Sequence, residues 1–212
     1  MNITLIGASG FIGTAILNEA LERGHHVTAL VTRPERLPAR ANLTALAADV
    51  MDVARLTTQL AGTDAVISAF SGHAQADVLD YYLAGARSII GAAKEAHAKR
   101  LLMVGGAGSL EVAPGVQLID TPGFPAQYKA TAEGARQALQ LLQTEASLNW
   151  TMLSPSAMIA PGQRTGSFRT SLNQLLTGAD GSSRISVEDF AKAMIDELEQ
   201  PAHLRQRFTV GY

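Results

Sequence analysis

At 212 residues the chain has room for one α/β domain but not for two, and a domain of this size buries on the order of 70% of its unfolded surface. The net charge is −2, and charges of both signs are scattered along the sequence, so no basic stripe indicates nucleic-acid binding. The absence of cysteine excludes disulfides and thiolate metal sites, and no apolar run is long enough to cross a membrane. We therefore expect a soluble cytoplasmic protein with no metal site, no nucleic-acid partner and no membrane partner.

The first thirteen residues predict a strand, a glycine-rich turn and the start of a helix. A short apolar run leads into Gly7-Ala-Ser-Gly10-Phe-Ile-Gly13. In such a turn the first glycine lets the backbone leave the strand sharply, the second lets it approach a pyrophosphate, and the third lets helix and strand pack closely. The unpaired N–H groups of the helix then face the phosphates. The predicted cofactor contacts in this turn are Gly7, Ser9, Gly10, Phe11, Ile12 and Gly13.

The second strand is predicted from His26 to Thr32, after a helix from Phe11 to Arg23. Arg33 follows this strand, twenty residues after Gly13. An NAD site places a carboxylate near this point to bind the ribose 2′-hydroxyl, whereas a cation pairs with the 2′-phosphate of NADP. Arg33, with Arg36 close by, therefore predicts a preference for NADP(H), and NAD remains possible. The alternative is an ordinary solvated loop arginine.

The third strand is predicted from Leu43 to Ala48 and the fourth from Ala65 to Phe70, with a short helix from Asp52 to Leu60 between them. The fourth strand is almost uninterrupted in its apolar character, as expected of a parallel strand that is buried on both faces. Its end carries small residues, which suit the close passage of a nicotinamide ribose or simply a loop. The predicted contacts at this end are Ser68, Ala69 and Phe70.

The second half of the chain predicts three helices and three strands. The helices span Asp77 to Ala98, Gln127 to Ala146 and Ser186 to Gln200, and the strands span Arg100 to Gly106, Trp150 to Ile159 and Arg207 to Tyr212. Pro155 interrupts the sixth strand and makes its second half an edge or a bend. Between residues 161 and 184 the periodicity fails, and a loop of this length in a compact domain usually has a function.

This order of elements predicts a single Rossmann-like domain over residues 1–212. We expect a doubly wound, mainly parallel sheet of six or seven strands with a parallel 3-2-1-4-5 core, and helices on both faces. Residues 161–185 are predicted to form a small C-terminal lobe or lid over the crevice.

Three stretches of the sequence also resemble a known family. The turn Gly-x-x-Gly-x-x-Gly resembles the extended and atypical branches of the short-chain dehydrogenases/reductases. Together with residues 105–129 and 150–189, it resembles the proposed NAD(P)H-flavin reductases, which are related to flavin/biliverdin-IXβ reductases and to redox sensors of the nitrogen-metabolite-repression type. The resemblance implies cofactor contacts at four further residues, namely Asp49 and Val50 beside the adenine, and Gly106 and Pro155 at strand ends. An N-cap or turn role is the alternative for Asp49.

The sequence departs from this superfamily at the catalytic residues. The superfamily uses Tyr-x-x-x-Lys on one helix face, where the lysine lowers the pKa of the tyrosine so that it can protonate an alkoxide. Here Lys129 follows Tyr128 directly, and position 132 is alanine. The superfamily's serine after the fifth strand is also missing, since glycines stand there. This departure argues against alcohol or ketone chemistry and against sugar epimerisation.

It leaves hydride transfer to a flavin open, because a flavin accepts hydride at a ring nitrogen and can take its proton from water. The predicted catalytic residues are Tyr128, as a stacking surface together with Phe124, and Lys129, toward the nicotinamide ribose. Arg164 or Arg169 is expected near an anionic acceptor. Packing or a solvated charge is the alternative for each of these residues.

Two functions follow from the sequence. The first is an NAD(P)H-dependent oxidoreductase that transfers hydride to a flavin or a similar planar acceptor, since apolar and aromatic residues are expected to border the crevice. The second is an NAD(P)-binding redox sensor without turnover, which would report the redox state through a partner protein. The sequence is compatible with a monomer or a homodimer.

Overall fold

The computed structural model describes residues 1–73 and 75–212. The strands are β1 (Asn2–Ile6), β2 (His26–Val31), β3 (Leu43–Ala47), β4 (Ala65–Ser68), β5 (Leu101–Val104), β6 (Glu111–Ala113), β7 (Val116–Gln117), β8 (Trp150–Ser154), β9 (Met158–Ala160), β10 (Arg169–Ser171), β11 (Arg184–Ser186) and β12 (Gln206–Gly211). The helices are α1 (Phe11–Glu22), α2 (Val53–Leu60), α3 (Val78–Glu95), α4 (Lys129–Gln143) and α5 (Val187–Glu199).

Eight strands form the main sheet, in the order β10-β12-β8-β5-β4-β1-β2-β3. All neighbours pair in parallel except β10, which runs antiparallel to β12. The predicted 3-2-1-4-5 core is therefore confirmed. The count of eight exceeds the predicted six or seven because β10 lies within the stretch that was expected to be a loop. Its three residues are too few to show a strand periodicity.

Helices cover both faces of this sheet and divide the core into two clusters. On one face α1 and α5 pack against each other and bury Ile16, Phe190 and Met194. On the other face α2, α3 and α4 pack side by side over Ile6 and Leu30. The doubly wound arrangement follows from the buried strands, since β4 is apolar on both faces and must be covered on both.

The predicted element ends differ from the observed ones where the local chemistry differs. The strand predicted through Ile159 stops at Ser154, before Pro155, and the following residues form β9, which pairs with β11 in a separate two-stranded sheet. The helix predicted to start at Gln127 starts at Lys129, because a 3-10 turn precedes it. Ser186 caps α5 as expected, and its hydroxyl accepts the Asp189 N–H at 3.0 Å. Among the described residues no helix is long and apolar enough to span a membrane.

Candidate functional site

The turn between β1 and α1 requires glycine at two positions. Gly7 has φ of +78°, and a Cβ there would lie 2.7 Å from the carbonyl oxygen of Ala69. A Cβ on Gly13 would lie 2.0 Å from the carbonyl oxygen of Gly7, which is closer than the two atoms can approach. The turn is therefore folded tightly onto itself and onto the end of β4. Gly10 is different, since a Cβ there would meet its nearest atom at 3.4 Å, an ordinary contact.

The start of α1 is open toward solvent. Gly10 is the N-cap, so no side chain caps the helix, and its first turn contains no acidic residue. Ser9 and Gly10 are exposed, and Phe11 is 52% exposed. The N–H groups of a helix's first turn have no intrahelical acceptor and attract an anion. An uncapped helix start beside a tight glycine turn fits the pyrophosphate of a dinucleotide.

The end of β2 presents cations without an acidic partner. Arg33 and Arg36 are exposed, and neither forms an ion pair with any of the described residues. The neighbouring Arg40 is engaged instead, since its guanidinium donates to Asn18 Oδ1 at 2.5 Å. Arg33 is thus exposed to solvent, and its pairing with a 2′-phosphate stays a prediction.

The observed contacts of Asp49 correspond to the turn role. Its Oδ1 accepts the N–H of Met51 at 2.9 Å, which forms an Asx turn after β3. Val50 is buried, and its carbonyl oxygen accepts the hydroxyl of Ser88. These bonds fix the backbone beside the carboxyl end of β2. The contact of both residues with adenine stays a prediction.

The end of β4 lies directly against the glycine turn. Ala69 donates its N–H to the carbonyl oxygen of Ile6 at 2.9 Å, and Ser68 is buried with its Oγ bonded to the Phe70 N–H at 3.4 Å. The Phe70 ring packs against Tyr81, with centroids 5.5 Å apart, and against Tyr82 at 6.0 Å. Phe70 therefore anchors α3 to the crevice edge. Burial raises the pKa of Tyr82 to about 12, so this phenol stays protonated at neutral pH.

Neighbouring side chains occupy the space beside the glycines after β5. A Cβ on Gly105 would lie 2.8 Å from Met152 Sδ, and a Cβ on Gly106 would lie 3.0 Å from the Cβ of Ala135. A Cβ on Gly108 would lie 2.7 Å from the Cβ of Ala132. Glycine thus stands in place of the superfamily's serine, at a point where side chains of α4 and β8 lie close to the backbone of this loop. Position 132, where the dyad's lysine would stand, is buried against this same loop.

Tyr128 and Lys129 lie at the start of α4, at the edge of the sheet where the strands end. Tyr128 is 54% exposed, and its hydroxyl has no hydrogen-bond partner within the described part of the chain. Lys129 is exposed near Asp120 and Arg136, on the outer side of α4. Neighbouring helical residues diverge by about 100°, so the two side chains point in different directions. Their predicted roles, and that of the half-buried Phe124, stay predictions.

The structure assigns the two predicted acceptor arginines to contacts within the protein. Arg164 pairs with Glu19 of α1, with its Nε and Nη2 at 2.7 and 2.8 Å from the carboxylate oxygens. This hydrogen bond to Arg164 holds the pKa of Glu19 below its usual value, with Arg23 contributing in the same direction. The Arg169 guanidinium donates to the backbone oxygens of Thr177 and Tyr212. Both arginines thus have partners within the protein, and a place for either of them near an anionic acceptor stays a prediction.

The chain around Arg164 lies along α1 and α5. In this segment Thr165 Oγ1 and the Gly166 N–H donate to the buried carboxylate of Asp189, as does the Tyr212 hydroxyl at 2.7 Å. Burial alone would raise the pKa of Asp189, but these hydrogen bonds outweigh it and hold the pKa below its usual value. Phe168 packs on the α1–α5 core, under Lys192. The lid role of residues 161–185 stays a prediction.

Sequence reasoning missed the burial of Arg207. Arg207 on β12 is 7% exposed, and its guanidinium donates to Asn173 Oδ1 at 2.7 Å and to Ser109 Oγ at 3.1 Å. Burial holds its pKa below the usual value. Arg207 thereby ties the loop after β5 to the loop after β10. Pro155, which follows the last residue of β8, is buried, and its contact with the cofactor stays a prediction. The one signal in the sequence was a charged residue in the strand predicted from Arg207 to Tyr212.

A family model described as NAD(P)H-binding matches residues 7–201. The chain belongs to the NAD(P)H-binding family. The match covers the glycine turn, all five helices and every strand of the main sheet except β1 and β12. This membership agrees with the open, uncapped start of α1 beside the glycine turn.

Three solved structures are similar to this NAD(P)H-binding chain over its whole length. One, from Burkholderia pseudomallei and provisionally named an exported protein, has 46% identity and a TM-score of 0.91, with 100% of each chain covered. A second, from Bacteroides thetaiotaomicron and provisionally named an epimerase, has 43% identity and a TM-score of 0.94, covering 100% and 96%. A third, from Streptococcus pneumoniae TIGR4 and provisionally named an NADH-flavin reductase, has 34% identity and a TM-score of 0.86, covering 100% and 99%. The three names differ, while the fold is shared.

Proposed function

We propose that this protein is an NADPH-dependent oxidoreductase that reduces a flavin or a similar planar acceptor. The observation that carries the proposal is the contrast between an open phosphate cradle at α1 and a closed, glycine-lined surface after β5. The cradle supports cofactor binding, and Ala132, which stands where the dyad's lysine would be, is buried and packs closely against Gly108. A reaction that needs positioning, and no protein acid, fits this arrangement.

One group of residues would bind the phosphate end of the cofactor, and a second group would lie at its nicotinamide end. The first turn of α1 and Gly10 would hold the pyrophosphate, and Arg33 would pair with the 2′-phosphate. When bound, NADPH supplies a hydride from its nicotinamide ring. Phe124 and Tyr128 would offer aromatic surface to a planar acceptor, and Lys129 would bind the nicotinamide ribose. The acceptor's proton would come from water.

The names of the similar structures support the proposal in part. The Streptococcus protein is named for flavin reduction, which agrees with it. An epimerase, the name given to the Bacteroides protein, needs a group that removes and returns hydrogen at a sugar carbon. The superfamily's serine and lysine are both absent at the positions where such a site would need them.

Stopped-flow oxidation of NADPH, measured against a panel of FMN, FAD, riboflavin, quinones and tetrapyrroles, tests the proposal. We expect at least one planar acceptor to be reduced well above the rate without protein. A protein that binds NADPH tightly but reduces no acceptor would instead be the sensor without turnover. A protein that does not bind NADPH would contradict both functions.

A further inference from the structure

A polar groove lies at the opposite edge of the sheet from the glycine turn. It has a volume of about 490 Å³ and is lined by the beginnings of β1, β2 and β3 together with the end of α2. We call it the threonine groove, and its polar lining side chains are Asn2, Thr4, His26, Thr28, Asn42, Thr44, Gln59 and Thr63. Because it sits at the amino ends of the strands, it is distinct from the proposed cofactor site, which sits at their carboxyl ends.

The groove exists because α2 is too short to cover the strands beneath it. The helix has eight residues, which span roughly 12 Å, whereas five or six strand residues span roughly 17 to 20 Å. Leu56 and Leu60 cover Ile6 and Leu30 in the second half of the strands. Thr4 and Thr28, two residues earlier on the same face, are left facing the groove.

Three threonines form a row across the floor of the groove. Thr4 is the register partner of Thr28, and Thr28 is the register partner of Thr44. Adjacent parallel strands are about 4.8 Å apart, so the row repeats a hydroxyl at that interval. This interval is close to the separation of alternate ring hydroxyls on a pyranose. A regular row of hydroxyls is thus matched to a ligand that carries hydroxyls at similar spacing.

Two polar groups in the lining of the threonine groove have no hydrogen-bond partner among the described residues. The side chain of Thr4 is buried, with the residue 3% exposed, and its hydroxyl forms no hydrogen bond with any described residue. Gln59 is fixed by the bond from its Nε2 to the Ala47 carbonyl oxygen at 3.0 Å, yet its buried Oε1 has no partner in the described structure. A buried polar atom that lacks a partner is unfavourable, and a bound donor that reached it would remove that cost.

The lining also limits the charge of the ligand. None of the lining residues is Asp, Glu, Lys or Arg. A hydroxyl both donates and accepts, and an amide does the same through its two ends, so the site suits a ligand whose groups also do both. From these observations we infer that the threonine groove binds a neutral polyhydroxyl compound of monosaccharide size.

Amide chemical shifts of the ¹⁵N-labelled full chain test this inference, with D-glucose, D-galactose, myo-inositol and glycerol as probes. Thermal shifts are unsuitable, because sugars stabilise most proteins by exclusion from their surfaces. Probe concentrations should reach roughly 50 mM, so that a ligand with a millimolar Kd saturates the groove. We expect saturable shifts at Thr4, Thr28 and Thr44 with at least one cyclic probe, and weaker ones with glycerol.

The variant Thr28→Val keeps the shape of the side chain and removes its hydroxyl. We expect it to weaken the binding two- to tenfold, as one neutral hydrogen bond of about 0.5 to 1.5 kcal/mol predicts. Thr170→Val, on β10 at the far edge of the sheet, is the matched control and should bind like the wild type. If Thr28→Val does not fold, Thr44→Val at an exposed position replaces it. No saturable shift with any probe, or equal affinity in the groove variant and the wild type, would overturn the inference.

Discussion

The chain has two glycine-rich turns, one after β1 and one after β5, and they use glycine for opposite purposes. In the first, Gly7 and Gly13 are buried in contacts with the backbone so that Gly10 and the start of α1 stay open. In the second, Gly106 and Gly108 are themselves the contact surface, because Ala135 and Ala132 of α4 rest on them.

The comparison shows what a glycine run means in an α/β fold. A glycine turn followed by an uncapped helix binds a ligand, because the helix offers N–H groups that have no partner. A glycine turn covered by a helix of small residues is a packing surface. The same residue type therefore stands at an open helix start after β1 and at a closed packing surface after β5.

The largest expected effect is at Gly13. A Cβ at this position would lie 2.0 Å from the Gly7 carbonyl oxygen, and that oxygen belongs to backbone that cannot move without opening the turn. We expect Gly13→Val to lower the free energy of unfolding by about 3 kcal/mol or more. Urea denaturation measures this change. A loss below 1 kcal/mol would contradict the packing that the structure shows.

Next is the charge at Arg33. We expect Arg33→Ala to raise the K_d for NADPH tenfold to a hundredfold, because a charge-assisted contact contributes roughly 1.5 to 3 kcal/mol. The K_d for NADH should not change, since NADH has no 2′-phosphate. Fluorescence titration with both cofactors measures the ratio, and Arg87→Ala on the exposed face of α3 is the control. Equal affinities for NADPH and NADH in the wild type would contradict the predicted preference.

The turn after β1 could be predicted from the sequence, whereas the packing of the turn after β5 could not, for a physical reason. The turn after β1 is local: three glycines, the preceding strand and the following helix lie within 22 residues, so periodicity and spacing predict it. The turn after β5 could not be interpreted locally, because its partners Ala132 and Met152 come from α4 and β8. The missing serine was visible, but the packing that replaces it was not.

Arg164 shows the same limit. Its position in a glycine-containing segment suggested an anionic ligand, yet its partner Glu19 lies 145 residues away in sequence. The only indication in the sequence was Glu19 itself, which stands four residues before Arg23 at the spacing of a helical ion pair. β10 was missed for a related reason, since an edge strand of three residues is defined by its partner β12.

A third prediction concerns the packing role of the second turn. Gly108→Ala would place a Cβ 2.7 Å from the Cβ of Ala132, so we expect a loss of about 1 to 3 kcal/mol in the free energy of unfolding. The double variant with Ala132→Gly should recover more stability than the sum of the single changes predicts. Strict additivity in this double-mutant cycle would show that the two positions do not touch.

The smallest effect, and the sharpest test of the contrast, is expected at Gly10. Its backbone is extended, with φ of −78° and ψ of 171°, and the nearest atom to an added Cβ is 3.4 Å away, so Gly10→Ala should fold with unchanged stability. The added methyl would stand on the surface that the pyrophosphate approaches. We therefore expect the K_d for NADPH to rise about tenfold, which corresponds to about 1.4 kcal/mol. Gly91→Ala, in the body of α3 with no atom within 4 Å of an added Cβ, is the control and should leave NADPH affinity unchanged. If Gly10→Ala bound NADPH as tightly as the wild type, the first turn would be a packing surface like the second, and the proposed cofactor site would have to lie elsewhere on the sheet edge.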